Sequence, residues 1–282
     1  MNFKKTLALL GCAVLMGTVS LSAQVKIKDG TKIAFMGDSI TQFGHNYAAG
    51  YVNMVMIGLK VNGIKADLVK AGISGHKSNM MLARLDRDVI SKKPQVMTLS
   101  CGVNDVWHGP RGVKLEDYKK NIRQLVEKAT AAGIKVYIMT ATMIGENQFH
   151  ANNQKLGAYN QFLRELAKEK NLPLIDLNAA MQQEVAAMRA KYPGVNTVFL
   201  TVDGVHMDTL GNAMMAREIL KAFGLNAAQI AKAEQEWQKL NWNVRGLGYF
   251  KVGDYNAIQA KLWAQKKTMS GYANEKLREL LK

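Results

Sequence analysis

Up to about Gly224 the chain alternates short apolar runs with longer amphipathic stretches. Ile33-Ala34-Phe35-Met36, Asp67-Leu68-Val69, Gln95 to Ser100, Ile134 to Met139 and Pro173-Leu174-Ile175-Asp176 have the length of strands. The nearly unbroken apolar character of the first, third and fourth is that of strands buried on both faces of a parallel sheet. Between them, Tyr51 to Val61, Asn79 to Ser91, Leu115 to Ala132, Gln154 to Lys170, Ala179 to Lys191 and Leu210 to Phe223 place apolar residues at helical spacing. Gly63, Pro94 and Gly133 stand where helices should stop. Strand-helix alternation of this kind builds βαβ units, with connections of one hand and helices on both faces. The expected fold class is therefore α/β: a three-layer α/β/α sandwich around a central, mostly five-stranded parallel sheet.

Past Gly224 the rhythm changes. Ala227 to Leu240 reads as helix, Gly246 to Gly253 as a turn-rich connector, and Asn256 to Lys282 as mostly helix. The expected division is an α/β unit over residues 24–224 and a helical extension over 225–282 packed against it. The extension carries Trp237, Trp242 and Trp263, three of the four tryptophans. Exposed, they would form a sugar-stacking platform. The helical spacing of Trp237 with Leu240, and of Ile258 with Leu262, favours a packing layer instead.

Residues 1–23 do not belong to this pattern. Lys4 and Lys5 precede an uncharged apolar run from Thr6 to Val19, and Leu21-Ser22-Ala23 supplies small residues before Gln24. That is the layout of a cleavable secretory signal, and no stop-transfer pattern follows it. Leu9-Leu10-Gly11-Cys12 is a lipobox-like alternative, disfavoured because the apolar run continues well past Cys12. Cleavage removes one of the two cysteines, leaving Cys101 with no partner for a disulfide. The expectation is a secreted or periplasmic protein of bacterial type, with no stable membrane insertion after cleavage. Cys101, at the end of an apolar strand, reads as a packed thiol.

The formal charge is +16, of which Lys4 and Lys5 account for two. The basic residues are scattered as pairs such as Lys92-Lys93 and Lys119-Lys120, and no nucleic-acid-binding signature accompanies them. A solvated basic surface is the reading, with no nucleic-acid partner.

Candidate chemistry lies where strands end, because ligands of open α/β sheets bind beyond the carboxyl ends of the strands. Ser39 follows the first strand in Gly37-Asp38-Ser39 and is a candidate nucleophile, although a hydroxyl needs an activating base. Asp203-Gly204-Val205-His206 puts a carboxylate three residues before a histidine. On one turn, the carboxylate could orient the imidazole toward Ser39. Gly72 and Asn104 follow the second and third strands. With the Ser39 N–H, a glycine N–H and an asparagine amide would make a three-donor oxyanion hole. The chain has no Gly-x-Ser-x-Gly elbow and no His-Glu-x-x-His, and His76 interrupts the only phosphate-loop-like run. No cofactor or metal is called for.

Gly37-Asp38-Ser39, Gly72, Gly102-Val103-Asn104-Asp105 and Asp203-Gly204-Val205-His206 resemble, in order, the four sequence blocks of the SGNH (GDSL) hydrolases. The resemblance covers roughly residues 31–223. It implies a triad of Ser39 as nucleophile, His206 as general base and then acid, and Asp203 as its orienter, with Ser39, Gly72 and Asn104 as oxyanion donors. Asp38 and Asp105 read as scaffolding. Met207 stands where family members often have proline.

All five histidines, His45, His76, His108, His150 and His206, follow predicted strands, which would bring them toward one sheet edge. Trp107, His108 and Arg111 are candidates for a substrate-facing wall, with Glu146 and Asn147 as further ones. The resemblance and the export signal together imply a secreted serine esterase that removes a small acyl group, acetyl by preference, from a carbohydrate. A lipase, lysophospholipase or thioesterase of the same family is the alternative enzyme. A non-catalytic carbohydrate-binding surface protein is the alternative of another class. The partner is a small-molecule or polysaccharide ester, and oligomeric state is left open.

Overall fold

The structure, a computed structural model, describes residues 26–245 and 247–280. The signal reading of residues 1–23 and the lipobox at Cys12 lie outside the described residues. Five parallel strands form the central sheet: β1 (Lys32–Gly37), β2 (Asp67–Gly72), β3 (Val96–Ser100), β4 (Lys135–Met139) and β5 (Leu174–Ile175). Their spatial order is β2-β1-β3-β4-β5. Ile33, Ala34, Phe35 and Met36 are wholly buried, because β1 has a strand on either side and helices on both faces.

The helices, in chain order, are α1 (Ser39–Asn46), α2 (Tyr51–Val61), α3 (Ser78–Asp88), α4 (Val103–Trp107), α5 (Leu115–Ala131), α6 (Ala151–Glu169), α7 (Leu177–Lys191) and α8 (Thr209–Ala222). α2 packs with α1 and α8, and α5 packs with α3 and α6. These two groups are the outer layers of the sandwich. The elements expected from periodicity are all present, with ends shifted by a few residues.

α1 and α4 are not legible in the pattern. α1 is short and contains Thr41, Gly44 and Asn46, which favour helix weakly. It is held by its surroundings: the Asp38 side chain accepts from the Ile40 N–H at 2.9 Å, and the Thr41 hydroxyl meets that of Tyr51 at 2.8 Å.

Beyond α8 the chain forms α9 (Ala227–Trp237), a hairpin of β6 (Asn241–Val244) and β7 (Gly248–Lys251), α10 (Val252–Ala264) and α11 (Met269–Leu280). The hairpin takes the place of the expected connector. Trp242 pairs with Phe250, and Asn243 with Tyr249. Alternation then turns Trp242 inward, where it is buried, while Tyr249 is 75% exposed on the opposite face. Trp237 is buried against α2 and donates its indole N–H to the Met54 carbonyl at 2.9 Å. Trp263 packs on Tyr192 and Phe199, with ring centroids 5.5 and 5.1 Å away. All three tryptophans are therefore packing residues and present no stacking platform.

Trp237→Ala is expected to cost about 3–5 kcal/mol in denaturant unfolding, because it opens a cavity and removes the indole hydrogen bond to the Met54 carbonyl. Asp208 caps α8, accepting from the N–H groups of Leu210 and Gly211 at 2.8 and 3.0 Å. Burial pushes its carboxyl up to about 7 in spite of those donors. The folded chain thus holds this proton more tightly than the unfolded one. The associated stability is full below about pH 4 and is lost as pH rises through about 7. Asp208→Asn keeps the cap without the charge. Urea midpoints should match wild type near pH 4, and at pH 8 the variant should be more stable by on the order of 2 kcal/mol.

Candidate active site

β1 and β3 lie side by side, yet β1 leads to β2 on one flank and β3 to β4 on the other. That reversal opens a crevice at the carboxyl ends of the strands, and Ser39 begins α1 there, almost wholly buried. Asp38 is buried beneath it. Burial raises the Asp38 carboxyl to about 6, against the lowering effect of the Ile40 N–H, and the nearby Asp105 carboxylate adds to the rise.

The segment that meets Ser39, between α7 and α8, folds back on itself. Thr201 and Met207 form an antiparallel bridge, and the Val202 N–H donates to the His206 carbonyl at 2.8 Å. Gly204 turns the chain at φ +90°, a conformation that favours glycine. Asp203 Oδ1 accepts from the backbone N–H groups of Val205 and His206 at 3.0 and 2.8 Å. Asp203 Oδ2 meets His206 Nδ1 at 2.6 Å, and His206 Nε2 meets Ser39 Oγ at 2.9 Å. Partial burial opposes ionisation of Asp203. The ring of His206 and the two N–H donors outweigh it and hold the carboxyl below its usual range. Met207 is buried in the bridge, so the loop is braced without proline.

Gly72 pairs with Gly37 across β1 and β2. The next residue, Ile73, donates its N–H to the Gly37 carbonyl at 3.1 Å, so by strand alternation the Gly72 N–H points the other way. A side chain at Gly72 would run into the backbone of α1, its Cβ only 2.7 Å from the Thr41 carbonyl carbon. Asn104 is buried at the start of α4 and gives one amide hydrogen to the His76 carbonyl at 3.1 Å. Its second amide hydrogen remains for another acceptor. Asp105 accepts from the Ser78 N–H and hydroxyl at 3.0 and 2.7 Å, tying α3 to α4. Cys101 is buried, and burial pushes its thiol well up, consistent with a packed group.

The other singled-out residues scatter. Glu146 is buried, with its carboxylate taken up by the N–H groups of Phe199 and Leu200 and by the Thr201 hydroxyl, at 2.6 to 2.8 Å. It braces the segment leading to Asp203, which corrects the expectation of a substrate contact. Asn147 is a turn residue, accepting from the Phe149 N–H at 3.0 Å. The histidines take separate partners. His45 is buried beside Asn46, His76 accepts from Arg84 Nε at 3.0 Å, and His150 caps α6; among them only His206 meets Ser39. Trp107 is 42% exposed and faces His108 at 6.2 Å, with Arg111 exposed one turn on.

One residue escaped the sequence reading. Arg84 is buried and donates to the carbonyls of Gly37 and Ala71, each at 2.9 Å, and to Asp88 at 3.1 Å. Its signal was faint: a basic residue on the stripe defined by Met81 and Leu85, where α3 turns toward the core.

The sequence model of the GDSL-like Lipase/Acylhydrolase family matches residues 35–214. An acetylxylan esterase of Geobacillus stearothermophilus is 28% identical over 221 residues, spanning 71% of this chain and 97% of that one. An isoamyl acetate-hydrolyzing esterase of Saccharomyces cerevisiae is 26% identical over 233 residues, spanning 76% and 94%. Among solved structures, an acetyl xylan esterase superposes with a TM-score of 0.61 at 32% identity, covering 68% of this chain and 98% of its own. With the five-stranded parallel sheet, this family match makes the chain an esterase of the SGNH type, a member of the GDSL-like lipase/acylhydrolase family.

Proposed function

We propose that the protein is an exported serine esterase that removes acetyl groups from carbohydrate. The observation that carries the reading is the unbroken hydrogen-bonded line from Asp203 through His206 to Ser39. Such a line is what a hydroxyl nucleophile needs at neutral pH. Ser39 Oγ attacks the ester carbonyl while its proton passes to His206 Nε2. The carbonyl oxygen becomes an oxyanion facing the N–H groups of Ser39 and Gly72 and the Asn104 amide. On collapse the alcohol oxygen takes the proton from His206 and leaves, and the acetyl group stays on Ser39. Water, deprotonated by the same imidazole, then releases acetate. Asp203 keeps Nδ1 protonated and stabilises the imidazolium throughout.

Support for acetyl comes from the relatives' names, which share that acyl group while their alcohols differ, a xylan in one and isoamyl alcohol in the other. Export rests on the signal pattern of residues 1–23, and it favours a polymeric external substrate over an intracellular thioester. No helix among the described residues is long and apolar enough to cross a membrane.

Acetate release from acetylated xylan, beside hydrolysis of aryl esters of increasing chain length, tests the reading. Acetyl should be preferred, and a preference for long acyl chains would favour the lipase alternative. Ser39→Ala and His206→Ala should each lower kcat by about 10³-fold or more, and Asp203→Ala by less. Activity surviving in either of the first two would rule out the triad. Gly72→Ala should push α1 and Ser39 out of line, lowering kcat/KM by roughly 100-fold. An unchanged rate there would remove Gly72 from the oxyanion hole.

A further inference from the structure

α1 carries more than the nucleophile. Ser39, Phe43 and Tyr47 recur every four residues, on one face of α1 and its C-terminal cap. The half-buried Phe43 ring lies against the His206 imidazole, with centroids 4.9 Å apart and planes at 45°. Tyr47 follows Phe43 at 5.2 Å and is 48% exposed. The edge of Trp242, from the β6–β7 hairpin, props Tyr47 from behind at 6.3 Å and 88°. The result is an aromatic strip that starts at the imidazole and is backed by the C-terminal segment.

The chemistry of the site says which part of a substrate meets this strip. The acyl oxygen must face the donors at Ser39, Gly72 and Asn104, while the leaving alcohol must face His206 Nε2 to collect its proton. Phe43 and Tyr47 therefore lie on the alcohol side. Tyr47 is about 12 Å along the helix axis from Ser39, beyond the reach of a small alcohol. Resting on the carbohydrate reading above, we infer that Phe43 and Tyr47 form a stacking subsite for the sugar chain that bears the acetyl group, with Tyr47 contacting a ring beyond the acetylated one. The preferred substrate is accordingly an oligomeric sugar ester. Aromatic rings suit the apolar faces of pyranose rings, and hydroxyl groups at their rims stay hydrated.

The test compares kcat/KM on ethyl acetate, acetylated xylose and acetylated xylotetraose for wild type, Tyr47→Ala, Tyr47→Leu, Tyr47→Phe and Tyr249→Ala. Wild type should favour the tetramer over the monomer. Tyr47→Ala and Tyr47→Leu should each lose about tenfold on the tetramer through KM, with ethyl acetate unchanged. The leucine variant keeps apolar bulk against Trp242, which guards against a mere packing defect. Tyr47→Phe should retain the preference, since the ring face is what binds. Tyr249, on the outward face of the hairpin, should be indifferent. Equal losses on ethyl acetate would make Tyr47 a support for His206 and overturn the subsite, as would an unaffected tetramer rate or a loss carried by Tyr249→Ala. If wild type cleaves ethyl acetate but neither sugar ester, the carbohydrate reading itself fails. If it cleaves both sugar esters without preferring the tetramer, the strip alone fails.

Discussion

A guanidinium buried where two parallel strands end holds the candidate site together. Arg84 cannot leave water without a full set of acceptors, since an unpaired buried charge is prohibitively costly. It finds them at Gly37, Ala71, His76 and Asp88. The first two carbonyls belong to the turns that present Ser39 and Gly72, and the carbonyl of His76 holds Asn104. One side chain thus ties the backbone behind Ser39 and Gly72 and, through the His76 ring, the residue whose carbonyl holds Asn104. Its pairing with Asp88, one turn along α3, keeps the guanidinium plane aimed at the strand ends.

Charge of the opposite sign is buried close by. Asp38 and Asp105 lie beneath the nucleophile turn and the start of α4, and burial raises both carboxyls. Each is retained for the N–H groups it accepts, Ile40 in one case and Ser78 in the other. Such groups oppose stability as ions yet fix backbone positions that apolar residues could not. Glu146 fixes backbone too, accepting from the N–H groups of Phe199 and Leu200 in the segment that delivers Asp203 and His206. The molecule therefore concentrates its buried acids around the segments whose relative placement decides whether Ser39 and His206 meet.

Much of this architecture is readable from the chain because its strongest signals are local. The buried strand Ile33 to Met36 announces itself by unbroken apolarity, and α5 by its apolar stripe. The four motif blocks likewise fall where strands end. Legibility fails where context decides the conformation. α1 and α4 are too short for periodicity and are held by caps and neighbours. The β6–β7 hairpin shows only a few alternating residues, and Trp242 takes its side from what lies beneath it.

Residue types alone did not separate the histidines or the acids into roles. Position after a strand is shared by His45, His76 and His206, whereas a hydrogen bond to Ser39 depends on which way each segment returns to the sheet. Glu146, a candidate substrate contact by sequence, is a buried clamp, and Arg84, which no sequence pattern singled out, is a buried tie. By itself the sequence determined the order of strands and helices and the blocks from which a site could be built, because apolar period and motif spacing act over short stretches. Only the tertiary structure decided that Asp203, His206 and Ser39 form one line, that Gly72 closes on α1, and that Phe43 and Tyr47 extend away from the imidazole. Those relations join residues far apart in the chain, and packing alone sets their distances.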